Sequence, residues 1–220
     1  VRLLDPPLHE FLPDIGDLVV DEARGDLDPE GQALLKSARY WTEVNPMMGT
    51  RGVRLAHLRP GLYRMQAKAL FSAVMARCAA GGDPLVEVMI PLTVSGPELA
   101  LAIEWVREAA ADVGMGEAPP VGTMIETPRA ALLAGDLAGH ADFFSVGSND
   151  LTQLTFGFSR DDVEGRFMDL YLDRGLLDHN PFEHLDDAAV GELVDLAVQR
   201  GRGAKPGLKV GVCGEHAGDP

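Results

Sequence analysis

Two cysteines in 220 residues, Cys78 and Cys213, leave no disulfide framework, a usage that fits a reducing compartment. No apolar run approaches the ~20 residues of a membrane span, and no signal-like pattern opens the chain. Positive charge is scarce: 19 Lys and Arg stand against 34 Asp and Glu, for a net charge of −15. That balance argues against nucleic-acid binding, where a clustered basic face is expected. It still permits an anionic ligand, because a few arginines can gather in one cleft. Neither GxGxxG nor GxxxxGKS/T occurs, and there are no repeats or low-complexity tracts. The expectation is a cytoplasmic protein without membrane or nucleic-acid partners.

What is present is apolar sequence in short runs. At 46% hydrophobic, the chain can bury one substantial core, and a single domain is the default. Strands are predicted at Val1–Leu4, Leu85–Pro91, Pro120–Ile125, Asp142–Val146 and Leu208–Cys213, with a weaker one at Pro46–Gly49. Helical patterns lie between them, at Gly31–Val44, Tyr63–Ala79, Pro97–Val113, Pro128–Leu137 and Ala188–Arg200. Strands apolar on both faces, alternating with helices, imply a parallel α/β sheet. Chemistry-bearing residues follow nearly every strand, which favours a (β/α)8 TIM barrel over a doubly wound sheet. About six strands fall short of eight, so the barrel is expected to be incomplete at both ends. Residues 156–187 break the rhythm and read as an insertion or lid. Val1 is not an initiator Met, and Pro220 falls where another helix would begin. A piece of a longer protein is expected.

Glu126, in VGTMIETPRAAL, and Asp150, in ADFFSVGSNDLTQ, each close a buried-strand run and precede a helix. They stand 24 positions apart, one strand–helix–strand step. On parallel neighbouring strands both carboxylates emerge at one end of the sheet, with the strands about 5 Å apart. Two hard oxygen ligands there suit a divalent cation such as magnesium. The alternative is helix capping, to which Asp150 is the more open. Arg2 leaves the first strand and Arg51 sits in NPMMGTRGVRL, two planar forks that match phosphate or carboxylate oxygens. Ser148-Asn149-Asp150 presents backbone N–H groups near a helix N-terminus, and Asn149 can donate to a phosphate oxygen. Cys213 ends the last strand, where it is either a buried structural thiol or a proton donor and acceptor. His216 either tunes it or satisfies a loop. The remaining histidines have no metal-ligand spacing.

Together, RLLDPPLHEFLP from Arg2, NPMMGTRGVRL, TQLTFGFSRDD and the closing CGEHAGDP resemble the phosphoenolpyruvate-utilising enzymes, and within them the dikinase branch. The resemblance covers nearly the whole chain. It implies a C-terminal (β/α)8 barrel that interconverts phosphoenolpyruvate and pyruvate. It also implies a phosphohistidine on a separate swivelling domain, an ATP-grasp domain, and a homodimer when full length. It places magnesium on Glu126 and Asp150, and substrate on Arg2, Arg51, Asn149 and the Gly147 and Ser148 backbone. Arg160 matches a phosphate-binding arginine, and Cys213 falls on the family's proton donor. Ser148 departs from the Thr expected there, and Lys68 from a frequent Arg. No phosphohistidine motif or ATP-binding segment is found. A metal-dependent aldolase or lyase, a synthase or enzyme I relative, and an inactive fragment stay open as other readings.

Overall fold

In the computed structural model, which describes residues 1–218, a parallel sheet of four strands is laced with helices. The last two residues of CGEHAGDP lie outside the described residues. The chain opens with one parallel bridge, Arg2 to Met89, in place of the full strand expected at Val1–Leu4. Helices α1 (Ile15–Arg24) and α2 (Pro29–Trp41) follow, then α3 (Gly52–Leu58) and the long α4 (Gly61–Ala79). The sheet proper begins with β1 (Val88–Ile90), followed by α5 (Gly96–Asp112), β2 (Val121–Ile125), and the short helices α6 (Pro128–Leu132) and α7 (Ala134–Ala138). β3 (Phe143–Gly147) runs straight into α8 (Ser148–Phe156), which leads to α9 (Arg160–Glu164) and α10 (Met168–Asp173). A π-turn at Asp187–Gly191 opens α11 (Glu192–Ala204), and β4 (Lys209–Cys213) ends the sheet.

The strands lie in sequence order, β1-β2-β3-β4, with every pair parallel. Each crossover is helical, as parallel neighbours require. Every residue of β2 is buried, which explains its unbroken apolar run. β4 is different: it stands at the edge, with Val212 52% exposed. The main core packs α4 along α5, and α11 along α6 and α7, around Tyr63, Phe71, Leu99, Val106 and Phe144. Residues 156–187 carry a separate small core of Val163, Met168 and Phe182, with Phe158 and Phe167 against it. None of the described helices is long and apolar enough to cross a membrane.

Two further expectations are corrected. Pro46–Met48 is a 3-10 turn and not a strand. Pro46 has no N–H to give a ladder, and the turn is closed locally by Gly49 N–H donating to the Pro46 carbonyl at 3.2 Å. The helix expected over Pro128–Leu137 is divided at Leu133, whose ψ of 19° leaves the helical range. Its opening is as expected: Thr127 caps α6, the hydroxyl accepting from Ala130 N–H at 3.1 Å. Helix α1 had no counterpart among the expected elements. Its Asp14 cap, bonded to Gly16 N–H at 2.6 Å, and its Gly25 C-cap at φ 79° define it locally.

Where α11 crosses the sheet, Gly201 lets it approach closely. A β-carbon there would stand 2.8 Å from both Phe144 Cε2 and Leu208 Cδ2. Alanine is the better helix former by about 1 kcal/mol, but overpacking a core costs about 1–3 kcal/mol. Phe144 and Leu208 are both fully buried, so the second effect wins. Gly201→Ala is expected to lower the unfolding free energy by about 1 kcal/mol, read as a lower urea midpoint; a higher midpoint would show that α11 can shift freely.

Candidate active site

The carboxyl ends of β2 and β3 bring Glu126 and Asp150 to the same edge of the sheet. Ile125 and Val146 are register partners, so Glu126 directly follows one and the Gly147-Ser148-Asn149-Asp150 stretch follows the other. Glu126 is 1% exposed. Its Oε1 accepts the backbone N–H of Leu92 at 2.5 Å. Leu92 follows β1 with φ at 58°, the one described non-glycine residue in the left-handed region. A bulky side chain there is strained. The strained residue is thus the one whose N–H meets the Glu126 carboxylate.

Gly147 makes the room. A β-carbon on it would lie 2.7 Å from Glu126 Oε2 and 2.7 Å from Met124 Sδ. Asp150, in the first turn of α8, does not cap its helix. Its two oxygens accept from Arg51 Nη1 at 2.9 Å and Nη2 at 3.3 Å. Arg51 also donates from Nη2 to Asp5 Oδ2 at 2.8 Å, and Arg2 lies 3.1 Å from the same oxygen. Asp5 was not singled out in the sequence. It is buried, and its Oδ1 has no hydrogen-bond partner among the described residues.

Charge sets the behaviour of this cluster. Burial opposes the Arg51 charge, but Asp150 and Asp5 outweigh it and hold its pKa above the ordinary value. Glu126 is pushed up to about 8, first by burial and then by the Asp150 and Asp5 charges. The Leu92 N–H and Arg51 pull the other way and lose. A buried carboxylate beside two others, with too little positive charge, fits a divalent cation. Among the described residues no group of three or more His, Cys, Asp or Glu is assembled for a metal. A two-carboxylate set suits magnesium, which keeps water and substrate oxygens for its remaining positions.

Cys213 lies opposite Gly147 on β4, and its thiol donates to the Val146 carbonyl at 3.2 Å. Ser148 Oγ bonds the Cys213 carbonyl at 3.1 Å and His216 Nδ1 at 2.8 Å. The other ring nitrogen of His216, Nε2, donates to the Pro181 carbonyl at 2.9 Å. His216 therefore ties the ends of β3 and β4 to the 156–187 segment. Asn149 Oδ1 accepts from Glu215 N–H at 3.5 Å. Arg160 faces other partners: it lies 2.7 Å from Glu215 and 3.3 Å from Glu164, with its guanidinium 5.9 Å from the Phe182 ring. Lys68 is on α4, 3.6 Å from Asp112.

Parallel strands whose carboxyl ends gather acidic and basic side chains define an α/β domain built to hold a charged ligand there. The chain belongs to the PEP-utilising enzymes: the family model described as "PEP-utilising enzyme, PEP-binding domain" matches residues 1–220. The chain is 48% identical over 226 residues to pyruvate, phosphate dikinase 1, chloroplastic, of Arabidopsis thaliana, covering 100% of this chain and 23% of that protein. It is 49% identical to the chloroplastic pyruvate, phosphate dikinase 1 of Oryza sativa subsp. japonica, covering 100% of this chain and 24% of that relative. Identity is also 49% to pyruvate, phosphate dikinase 2 of Zea mays, covering 100% of this chain and 25% of that protein. The chain thus spans about a quarter of the length of the curated relatives it matches.

The raised pKa of Glu126 has a sign that can be tested. The folded protein holds a proton that the unfolded chain has released above the ordinary carboxylate range. Its contribution to stability is full below that range and is lost as pH rises through about 8. In EDTA, the unmodified protein is expected to lose more thermal stability between about pH 6 and 9 than Glu126→Gln, which mimics the neutral acid. Magnesium should restore the difference in the unmodified protein only. Parallel pH curves for the two proteins would show that Glu126 is ionised throughout.

Proposed function

We propose that this chain is the phosphoenolpyruvate/pyruvate site of a pyruvate, phosphate dikinase, within a partial (β/α)8 barrel. The observation that carries the reading is Arg51 bridging Asp5 and Asp150 beside buried Glu126, with the Cys213 thiol on the next strand. The whole-chain match to the dikinases supports it.

Glu126 and Asp150 would hold magnesium, which supplies positive charge against an enolate oxygen. Arg2 and Arg51 neutralise the carboxylate and phosphoryl oxygens of the substrate. Asn149 and the Gly147 and Ser148 backbone orient it, the former by its side-chain amide. The C2 oxygen–phosphorus bond breaks as a nitrogen–phosphorus bond forms on the histidine of a swivelling domain. Cys213 then gives its proton to C3 of the enolate to make pyruvate, and takes it back in reverse. A thiol that already donates a hydrogen bond is in the right state for the first of these steps.

In the longer protein an ATP-grasp domain would exchange the same phosphoryl group with ATP, coupled to phosphate and pyrophosphate. Two such chains would pair as a homodimer. Residues 156–187 serve as an insertion over the active face, with Arg160 an outer phosphate ligand once it leaves Glu215. The two free cysteines are consistent with a reducing compartment, the cytoplasm in this reading.

In the full-length protein, Cys213→Ala is expected to slow proton exchange at pyruvate C3 by about 10²-fold or more, the usual worth of a general acid. Oxalate binding in magnesium, read by calorimetry, should stay within a few-fold of the unmodified protein. Undiminished exchange would remove Cys213 from the chemistry.

A further inference from the structure

We propose that Asp5 is a positioning residue that joins Arg2 and Arg51 into one anion receptor and keeps Arg51 in place when Asp150 turns away. This rests on the phosphoenolpyruvate/pyruvate reading and adds to it a residue that the reading does not use.

Arg51 has five N–H groups, and each has a partner. Nε donates to the Asp5 carbonyl at 3.4 Å, and Nη2 to Asp5 Oδ2 at 2.8 Å and Asp150 Oδ2 at 3.3 Å. Nη1 donates to Asp150 Oδ1 at 2.9 Å and faces Met47 Sδ at 3.8 Å. Apart from the weak contact to the Met47 sulfur, an anion that takes up the guanidinium fork bidentately must displace a carboxylate.

The two carboxylates are not equally free to go. The Asp5 side chain is 4% exposed, and its own carbonyl also accepts Gly52 N–H at 3.1 Å. The residue before it is fixed from both sides: Tyr63 Oη donates to the Leu4 carbonyl at 2.9 Å, and Leu4 N–H donates to Gln66 Oε1 at 3.0 Å. Asp150 is 15% exposed and borders a cavity of about 120 Å³ beside Met47, Met48 and Gln153. Asp150 is therefore the exchangeable partner, a carboxylate standing on Arg51 where a ligand's oxygens would go. Asp5 is the fixed one.

Asp5 Oδ2 also lies within reach of both arginines, 2.8 Å from Arg51 and 3.1 Å from Arg2. Two guanidinium groups that close repel each other unless a negative atom stands between them. Its other oxygen has no hydrogen-bond partner among the described residues, so the carboxylate's interactions are concentrated on the one oxygen that faces both arginines.

The test is calorimetric titration of the full-length protein with oxalate in magnesium, for the unmodified protein, Asp5→Asn, Arg2→Lys and the double variant. Asp5→Asn is expected to weaken oxalate by about 10-fold and Arg2→Lys by a few-fold, with the double variant well short of their product. Mn²⁺ affinity without oxalate, read by electron paramagnetic resonance, should change less than twofold in Asp5→Asn. A double variant at the full product, or unchanged oxalate affinity in folded Asp5→Asn, overturns the proposal. Should Asp5→Asn not fold, Tyr63→Phe loosens Leu4 without altering charge and is expected to weaken oxalate by about threefold. No change there also overturns it. If the unmodified protein binds no oxalate, the functional reading fails, and this inference with it.

Discussion

Arg51 is the constraint from which the rest of the active face follows. One guanidinium connects the segment after the first bridge, through Asp5, with the first turn of α8, through Asp150. It lies in a buried position, so its charge must be answered by carboxylates close at hand. Those carboxylates in turn add to what burial has already done to Glu126, raising its pKa further. Removing the arginine would strand two acids; removing either acid would unbalance the arginine. The site is a set of mutual dependences and not a row of independent ligands.

The sheet explains why such a set can exist. Four parallel strands in sequence order deliver residue after residue to one edge, at a spacing fixed by the ladder. Helices α4, α5, α7 and α11 supply the apolar mass that makes charged groups tolerable there. Burial that stabilises the fold is the same burial that raises the Glu126 pKa. His216, bonded to Ser148 and to the Pro181 carbonyl, extends this rigidity to the 156–187 segment.

The strands were legible because both faces of β2 and most of β3 are buried, so their sequences are unbroken apolar runs. The meeting of Glu126 and Asp150 followed from a period of one strand–helix–strand step and needed no side-chain detail. Asp5 and Leu92 were illegible for a shared reason. Each acquires its meaning from a contact distant in the chain, Asp5 from Arg51 and Leu92 from Glu126. His216, by contrast, was read as tuning Cys213 or satisfying a loop, and it bonds Ser148 and the Pro181 carbonyl. Local pattern shows Asp5 only as a polar residue before two prolines. The strand expected near Pro46 failed because apolar residues alone do not make a strand without a neighbour to pair with. Arg160, matched by motif to a phosphate ligand, stands with Glu164 and Glu215.

Leu92 sets a limit on what this loop can become. A β-branched side chain could not adopt its backbone angle, and asparagine, which could, would place an amide in a fully buried apolar position. Glycine would adopt the angle without strain, but would leave a hole where a buried leucine packs into the core. The position is thus bounded by backbone on one side and volume on the other. Few side chains satisfy both, and an engineer seeking to retune Glu126 would do better to work from its neighbours than from this amide.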